Sequence, residues 1–598
     1  MATLGDLATF ELLVDGTSFE QFYDVLSITV LNELNRITTA TITIRDGTPA
    51  GQDFPISDAS TFVPGATIEI QAGFDSTNAT IFKGIVTGHS VRCVNVGGPE
   101  LVIEAKDEAV KMTIARNNAN FTSKTDSDII TSLIGNYSGL SNSVDSTSYQ
   151  WEELVQYYAT DWDFMLTRAE INGMYVMTDQ NKVTVKQLKL DSSSVTYTYG
   201  LDVYAFVAGM DARRQLTGVS AQGWDYKTQA IVNAAAAEPS FPDQGNLSAS
   251  SLTSATAPDA FLLSTTAPLE TAALQDWANA QLVRSRYAKI KGTIKVLGTS
   301  TVLPGSFITL AGMGARFNGV AFVSSIRHNI QDGEFFTTIT TGIDDNWFVD
   351  KVRATAPPTS GLLPGVRGLV NATVKAINDD PESETRVQIN IPVINPSGDG
   401  VWARMGNQYA TNGAGFFWMP EVGDEVIVGF LNEDPRYPII LGSMYNGNNA
   451  PPYTPDEKNS KKAIWSNSKI YIEFDDENKN LTITTPGENK IILSDQNKNI
   501  TVEDQNNNQI VMSDSGIKMT SPKDIELDAS GSVKITGTQG VTVTSSAAMS
   551  LEASTDFTAK GLSVSISADT EMKVSGSATA EYSSGGETAV KGAIVMIN

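Results

Sequence analysis

Few residues in this sequence are of the types that do covalent or metal chemistry, and their spacing restricts what they can do. There are two histidines, His89 and His328, and one cysteine, Cys93. A single thiol forms no intrachain disulfide and no cysteine cage for a metal. An imidazole base or ligand would have to be His89 or His328, and these stand at matching places in two similar strand segments, as strand residues do. No histidine follows residue 328, which excludes a His-x-His iron site near the C-terminus. Asp161 and Asp163 are a carboxylate pair of the type a glycosidase uses, but residues two apart on a helix diverge in direction. Asp475-Asp-Glu-Asn-Lys-Asn resembles a calcium loop without its glycine or closing glutamate. Gly312-Met-Gly314 lacks the following helix of a dinucleotide loop, and neither Gly-x-x-x-x-Gly-Lys-Ser/Thr nor Gly-x-Ser-x-Gly occurs. The expectation is no catalytic residue, no metal site and no cofactor: not an enzyme.

The chain that positions these residues has 598 of them, enough for several domains, with 41% hydrophobic and 18% charged. Its net charge is −26, so three copies carry −78. Such a particle is soluble and repelled by nucleic acid and anionic membranes. Phe416, Phe417 and Trp418 would suit base stacking. Glu421, Asp424, Glu425, Glu433 and Asp434 beside them argue against a nucleic-acid partner. The start, Met1-Ala-Thr-Leu-Gly-Asp, lacks a basic and an apolar signal region, and no apolar run reaches bilayer length. The expectation is synthesis in the cytoplasm without a signal peptide or transmembrane helix.

Residues 1–113 read as β: Thr39-Ala-Thr-Ile-Thr-Ile-Arg, Ala66-Thr-Ile-Glu-Ile-Gln and Leu101-Val-Ile-Glu-Ala alternate between Gly and Asp turns, as in a small barrel. Residues 114–200 form a helical and hairpin insertion. Ser127 caps a helix that stops at Gly135; Trp151, Leu154, Val155, Tyr158, Trp162, Met165, Leu166 and Ala169 keep helical spacing up to Gly173; Met174–Thr178 and Val183–Lys186 form a hairpin. Residues 201–352 read as a second barrel with a helix near Leu269–Arg284, and 235–265 as a mobile Ala/Ser/Thr/Pro excursion. Val63-Pro-Gly-Ala-Thr-Ile-Glu-Ile and Leu303-Pro-Gly-Ser-Phe-Ile-Thr-Leu echo each other, as do the strands that follow, so the two barrels read as duplicates. Two barrels per chain and three chains would make a ring of six similar units. A Pro/Gly linker at 353–366 leads to five strands in 367–450: Val387–Ile391, Val401–Met405, Gly415–Met419, Asp424–Phe430 and Pro438–Gly442. That is the size of an OB-type barrel. Residues 451–516 are short strands joined by Asn-rich turns.

From Ile517 to Asn598 the chain repeats in eights. Ile517-Lys-Met, Ile525-Glu-Leu, Val533-Lys-Ile, Val541-Thr-Val, Met549-Ser-Leu and Phe557-Thr-Ala open successive octads, and the rest of each is small or polar. Alternation puts positions one and three on one face of a short strand. One such coil has a single thin stripe and open edges, and cannot form a core alone. The expectation is a β-prism, an intertwined β-helix of three copies, each edge paired to a neighbouring chain.

Residues 386–452 carry a more specific pattern: Arg386-Val-Gln-Ile-Asn-Ile-Pro, Val401-Trp-Ala-Arg-Met, Pro420-Glu-Val-Gly-Asp-Glu-Val, Glu433-Asp-Pro and Tyr445-Asn-Gly. Within it Gly423, Asp424, Glu425, Asp434, Pro435, Tyr445, Asn446 and Gly447 form the motif proper. It resembles the VgrG-type spike proteins of contractile injection systems, in type VI secretion, extracellular injection particles and phage tails. Asp161-Trp-Asp-Phe-Met-Leu and Asn172-Gly-Met-Tyr resemble the hub of that family. The resemblance implies a mainly β homotrimer of two hub β-barrels with helical insertions, an OB-fold neck and a trimeric β-helix. It implies inner-tube and baseplate partners at the hub, effectors as cargo and delivery outside or into a target cell. A PAAR-like tip protein would dock on Ile594, Val595, Met596, Ile597 and Asn598. An alternative is a tail-associated receptor-binding, glycan-binding or depolymerase spike; a toxin-bearing spike would need a further catalytic domain.

Overall fold

The computed structural model describes all residues except 1–6, 21–23, 95–96, 243, 257–258, 353 and 395–397. Residues 1–6, part of the start read above for a signal, and Arg353 at the head of the linker lie outside that set. Two units result, Met1–Asn446 and Gly447–Asn598.

The alternating segments of the first half become β1 (Ala8–Val14), β2 (Thr17–Ser18), β3 (Val25–Glu33), β4 (Thr39–Arg45), β5 (Thr67–Phe74), β6 (Thr77–Val94) and β7 (Gly98–Lys106). In β4 every second residue, Ala40, Ile42 and Ile44, is buried, which is the period-two pattern at work. These side chains meet Ile28, Val30, Ile68, Ile70 and Ile103 in one core.

The insertion holds β8 (Arg116–Thr125), α1 (Asp126–Gly135), β9 (Ser141–Val144), β10 (Gln150–Thr160), α2 (Asp161–Ile171), β11 (Met174–Asp179) and β12 (Lys182–Gln187). Two expectations are corrected here. The cap of α1 is Thr125 rather than Ser127: its hydroxyl accepts from Asp128 N at 3.2 Å, and Asp128 returns a bond to Thr125 N. The helical spacing from Trp151 onward holds only after Thr160, which caps α2 by accepting from Asp163 N at 3.0 Å. Residues 150–160 are instead a strand paired antiparallel to β8. Long-range pairing outweighs a pattern that aromatic residues satisfy in either period.

The second half contributes β13 (Ser193–Thr198), β14 (Val203–Met210), β15 (Val219–Asp225), β16 (Ala230–Ala235), α3 (Ala249–Thr256), β17 (Phe261–Thr265), α4 (Thr271–Tyr287), β18 (Ile290–Leu297), β19 (Phe307–Ala311), β20 (Gly319–Gln331), β21 (Glu334–Thr341) and the short α5 (Phe348–Lys351). The described residues of 235–265 include regular elements that the composition did not imply. They carry α3, and β17 pairs parallel with β15.

The duplication extends to hydrogen-bond register. Six strands of the first half lie in the order β3-β4-β7-β6-β5-β1, and six of the second in the order β14-β18-β21-β20-β19-β13. A bulge between Val86 and Gly88 faces Ala105 and Glu104; its copy between Val323 and Ser325 faces Thr341 and Thr340. A second bulge, Val25/Ser27 in β3, recurs at Val203/Ala205 in β14. At the two Pro-Gly turns, Gly65 N donates to Val86 O at 2.9 Å and Gly305 N to Val323 O at 2.8 Å. The outer strand breaks the match: β1 is antiparallel to β5, whereas β13 is parallel to β19. Each half has a core of its own, with Ile330 and Phe335 of the second half packed into that of the first, and the two share one sheet of 13 strands, because β20 pairs antiparallel with β3 from Ser325 opposite Glu33 to Gln331 opposite Ser27.

The neck strands β22 (Val370–Ala376), β23 (Val387–Asn390), β24 (Val401–Met405), β27 (Glu425–Phe430) and β28 (Pro438–Met444) close a barrel in the order β22-β23-β24-β28-β27. Between them, β25 (Ala410–Thr411) and β26 (Ala414–Gly415) make a small hairpin. The expected strand Gly415–Met419 is not in the barrel: Phe416, Phe417 and Trp418 follow that hairpin, exposed. Three consecutive aromatics have no inward and outward alternation, while Val370-Asn-Ala-Thr-Val-Lys-Ala does, and it supplies the fifth strand.

The second unit opens with β29 (Lys461–Trp465), β30 (Tyr471–Asp475), β31 (Asn480–Thr484), β32 (Lys490–Ser494), β33 (Asn499–Glu503), β34 (Gln509–Ser513) and β35 (Gly516–Thr520), an antiparallel meander in sequence order. Its turns are rich in Asn, yet the left-handed residues at four of them are Lys479, Glu488, Lys498 and Asn507. The other Asn side chains work differently: Asn478, Asn506 and Asn508 donate to the Asp475 and Asp504 carboxylates that open two of these turns. Beyond β35 the chain bends at 522–523 and then every eight residues, at 530–531, 538–539, 546–547, 554–555 and 562–563.

Candidate functional site

The neck motif is built as a brace. Gly423 takes φ +93°, a conformation that disfavours a side chain, and donates its N–H to Val374 O at 2.9 Å. Val374 N donates back to Asp424 O at 2.9 Å, and the Asp424 carboxylate accepts from Glu421 N at 2.9 Å. Glu425 joins the first barrel strand to the chain leaving the last one: it accepts from Asn371 Nδ2 at 2.6 Å and Asn446 Nδ2 at 2.8 Å. Asp434 is buried and accepts from Arg436 N and Nε at 3.0 Å and Nη2 at 2.7 Å. The Arg436 guanidinium holds the Asp434 carboxyl below the usual carboxylate range. Pro435 follows in the same turn. Tyr445 is exposed, as is Gly447. The motif thus separates into braces, at 423–425, 434 and 446, and the exposed Tyr445 and Gly447.

The shaft stripe is the other candidate. Ile517, Met519, Ile525, Leu527, Val533, Ile535, Val541, Val543, Met549, Leu551 and Phe557 are all exposed, and residues 521–598 have no strand partner within their own chain. Spacing shows one feature that the octads to Phe557 did not reveal. After the bend at 562–563 the next comes at 569–570, seven residues on, and the period of eight then resumes at 577–578, 585–586 and 593–594. The apolar pairs shift with it, to Val564/Ile566 and Met572/Val574, then Tyr582 and Val590, all exposed. The sequence carried that signal in the Val564-Ser-Ile and Met572-Lys-Val pairs. Ile594, Val595, Met596, Ile597 and Asn598 follow in the new phase, and Ile597 is 90% exposed.

Of the residues with reactive side chains, Cys93 is free and exposed, while His89, His328, Asp161 and Asp475 make structural contacts. The His89 Nδ1 lies 2.9 Å from Phe62 O, which can only accept, so Nδ1 donates and Nε2 accepts from the Ser57 hydroxyl at 2.7 Å. This ties residues 57–62 to β6. His328 is buried, with Nδ1 2.9 Å from Thr337 Oγ1. By strand register its counterpart is Val91, not His89. Counting from the shared Pro-Gly turn misplaces them because the arms of the turn differ in length. Asp161 accepts from Asn117 Nδ2 at 3.0 Å, Tyr137 OH at 2.8 Å and Gln156 Nε2 at 2.8 Å, and is a core acceptor. Asp475, at the head of the calcium-like loop, accepts from Lys461 Nζ at 2.7 Å and Asn478 Nδ2 at 2.9 Å. A cleft of about 740 Å³ beside α2 and α4 contains Trp277, Trp347 and Arg214, whose charge is paired with Asp345 at 2.8 Å. Sequence reasoning missed one pair: Glu170 and Arg284, buried, 2.8 Å apart, joining α2 to α4.

The braced five-stranded barrel lies between a duplicated β hub and an octad segment with an open apolar stripe, and its residues 370–445 match the family described as the type VI secretion system/phage-baseplate injector OB domain. Residues 4–332, more than half of the chain, match the Alg8 N-terminal domain family, and the chain belongs to that family. The chain is 44% identical over 63 residues to the actin cross-linking toxin VgrG1 of Vibrio cholerae, covering 10% of this chain and 6% of that one. It is 32% identical over 112 residues to the type VI secretion system spike protein VgrG1c of Pseudomonas aeruginosa, covering 18% and 15%. The matched stretches therefore span only a small part of these curated relatives. A tail protein of Neisseria meningitidis aligns with 57% of this chain and 98% of its own at 14% identity, with a TM-score of 0.42. Among the described residues no helix is long and apolar enough to cross a membrane.

Proposed function

We propose that this chain is the hub and spike of a contractile injection machine, acting mechanically rather than as a catalyst. Three copies wind their 517–598 segments into one needle, and their duplicated hub sheets form a ring of six similar units facing a sixfold inner tube and baseplate. The open stripe carries this reading. Exposed apolar side chains that keep an eight-residue period are stable only when other strands cover them. The injector OB domain directly before the shaft points to the same class. The exposed apolar side chains of Ile594–Ile597 suit a PAAR-like tip protein with an apolar docking face. Effector cargo would travel with the assembled spike, delivered outside the producing cell.

Light scattering on the purified full chain tests the assembly. The expected mass is three times 64.0 kDa, 192 kDa. A stable 64.0 kDa monomer sinks the reading.

A further inference from the structure

The joint between the two halves of the hub leaves one unused half-joint at each end. In that joint the β20 segment Ser325–Gln331 is paired on both sides, by β21 and by β3. The register match makes Gly88–Val94 of β6 the counterpart of Ser325–Gln331, and β14 the counterpart of β3. Yet among the described residues Gly88–Val94 pairs with β7 alone, and β14, apart from a single bridge from Val203 to Tyr199, pairs with β18 alone and ends its sheet. Burial follows the pairing. Ile326, His328 and Ile330 are buried, while their counterparts are less covered: His89 is half-buried, Val91 is 41% exposed and Cys93 is exposed. On the facing side Ile28 and Val30 are buried, while their counterparts Phe206 and Ala208 are only half-buried. Each unit thus shows a strand edge with free N–H and C=O groups and a partly open apolar face, and the fold contains one worked example of how such edges join.

We propose that Gly88–Val94 of one copy pairs antiparallel with β14 of the next copy, repeating the internal joint between molecules. Carrying the internal register across sets Val91 opposite Ala208, Arg92 opposite Val207, Cys93 opposite Phe206 and Val94 opposite Ala205 of the next copy. Val91 and Cys93 then cover Phe206 and Ala208 on one face, and no like charges meet. The contact is heterologous, each copy giving β6 on one side and β14 on the other, so copies join head to tail and close into a ring. The inference rests on the multi-copy reading above and adds to it which strands meet and in what register.

Cross-linking tests it. In a Cys93→Ser background, Arg92→Cys and Val207→Cys replace side chains that are 63% and 70% exposed, so neither disturbs a core. Their counterparts in the internal joint touch: Thr29 Oγ1 donates to Asn329 Oδ1 at 3.1 Å. Opposed Cβ atoms on paired strands come close enough for a disulfide. Mild oxidation of the full-length double variant is expected to give disulfide-linked dimers and trimers on a non-reducing gel. Each single variant, and Arg92→Cys with Ala205→Cys, two residues out of register, are expected to give at least tenfold less. A double variant that stays uncrosslinked while scattering reports 192 kDa overturns the strand pairing and leaves the trimer standing. A 64.0 kDa particle overturns both.

Discussion

Glu170 and Arg284 show how the insertion is held to the second half of the hub. Both side chains are 5% exposed, and Arg284 Nη1 donates to Glu170 Oε1 at 2.8 Å. Arg284 also donates from Nη2 to Asn346 O at 2.5 Å and stacks over Trp347, while Glu170 accepts from Phe348 N at 2.6 Å. Removing one partner leaves a buried charge without its complement. Glu170→Gln is therefore expected to cost about 3–5 kcal/mol in urea unfolding, and Glu170→Met with Arg284→Met together less than the single change. His328 gives a second, pH-dependent case. Burial pushes its pKa down from the ordinary 6.5 to about 4, so the fold disfavours the charged ring. Between those values the unfolded chain binds a proton that the folded chain does not, and stability falls as pH drops through that window. Relative to His328→Val, which puts there the residue type of its counterpart Val91, the wild type is expected to lose up to about 3 kcal/mol between pH 6.5 and pH 4. Thermal melts of both proteins across that range check it. Neither group announced its role in the sequence, because Glu170 and Arg284 sit on separate helices and His328 gains its meaning from β3, joined across some three hundred positions.

At the level of elements, the Pro-Gly turns show what duplication preserves and where each copy has its own constraint. Gly65 and Gly305 both have positive φ, +101° and +83°. A Cβ at Gly65 meets nothing within 4 Å, whereas one at Gly305 lies 2.5–2.7 Å from the ring and hydroxyl of the buried Tyr175. Gly65→Ala should then cost about 1 kcal/mol from backbone strain alone. Gly305→Ala should cost about 1–3 kcal/mol more, because a buried ring must move; paired denaturant titrations would separate the two. The turns, the alternating strands and the echo were legible because each is local or repeats at short range. The boundary at Thr160 was not, since Trp151, Leu154 and Tyr158 suit a helix face as well as a ladder with β8. The fifth neck strand was misplaced for a related reason: Phe416-Phe417-Trp418 is apolar enough for a strand but alternates in nothing. The neck braces were visible as residue types, but only the fold shows Glu425 reaching Asn371 and Asn446 at once.

For the whole molecule, the shaft is where sequence period and assembly meet. Its apolar pairs face no core of their own, so in the proposed trimer their requirement is to stay in phase with the pairs of neighbouring copies. The seven-residue step between the bends at 562–563 and 569–570 shows that one residue can be taken up at a bend, provided the pairs after it shift together. Phase, rather than length, is then what the proposed needle must keep along its axis. Deleting 541–548 removes one whole repeat and keeps every later pair in place. The expected product is a shorter trimer whose shaft resists protease as the wild type does. Deleting 541–544 removes half a repeat and turns every later pair away from its partners across strands. The hub would still fold, because its cores lie in the first unit, but the segment beyond residue 540 should be cut early in limited proteolysis. Equal resistance of the two deletions would mean that the stripe does not set the assembly, and that something other than its period holds the copies together.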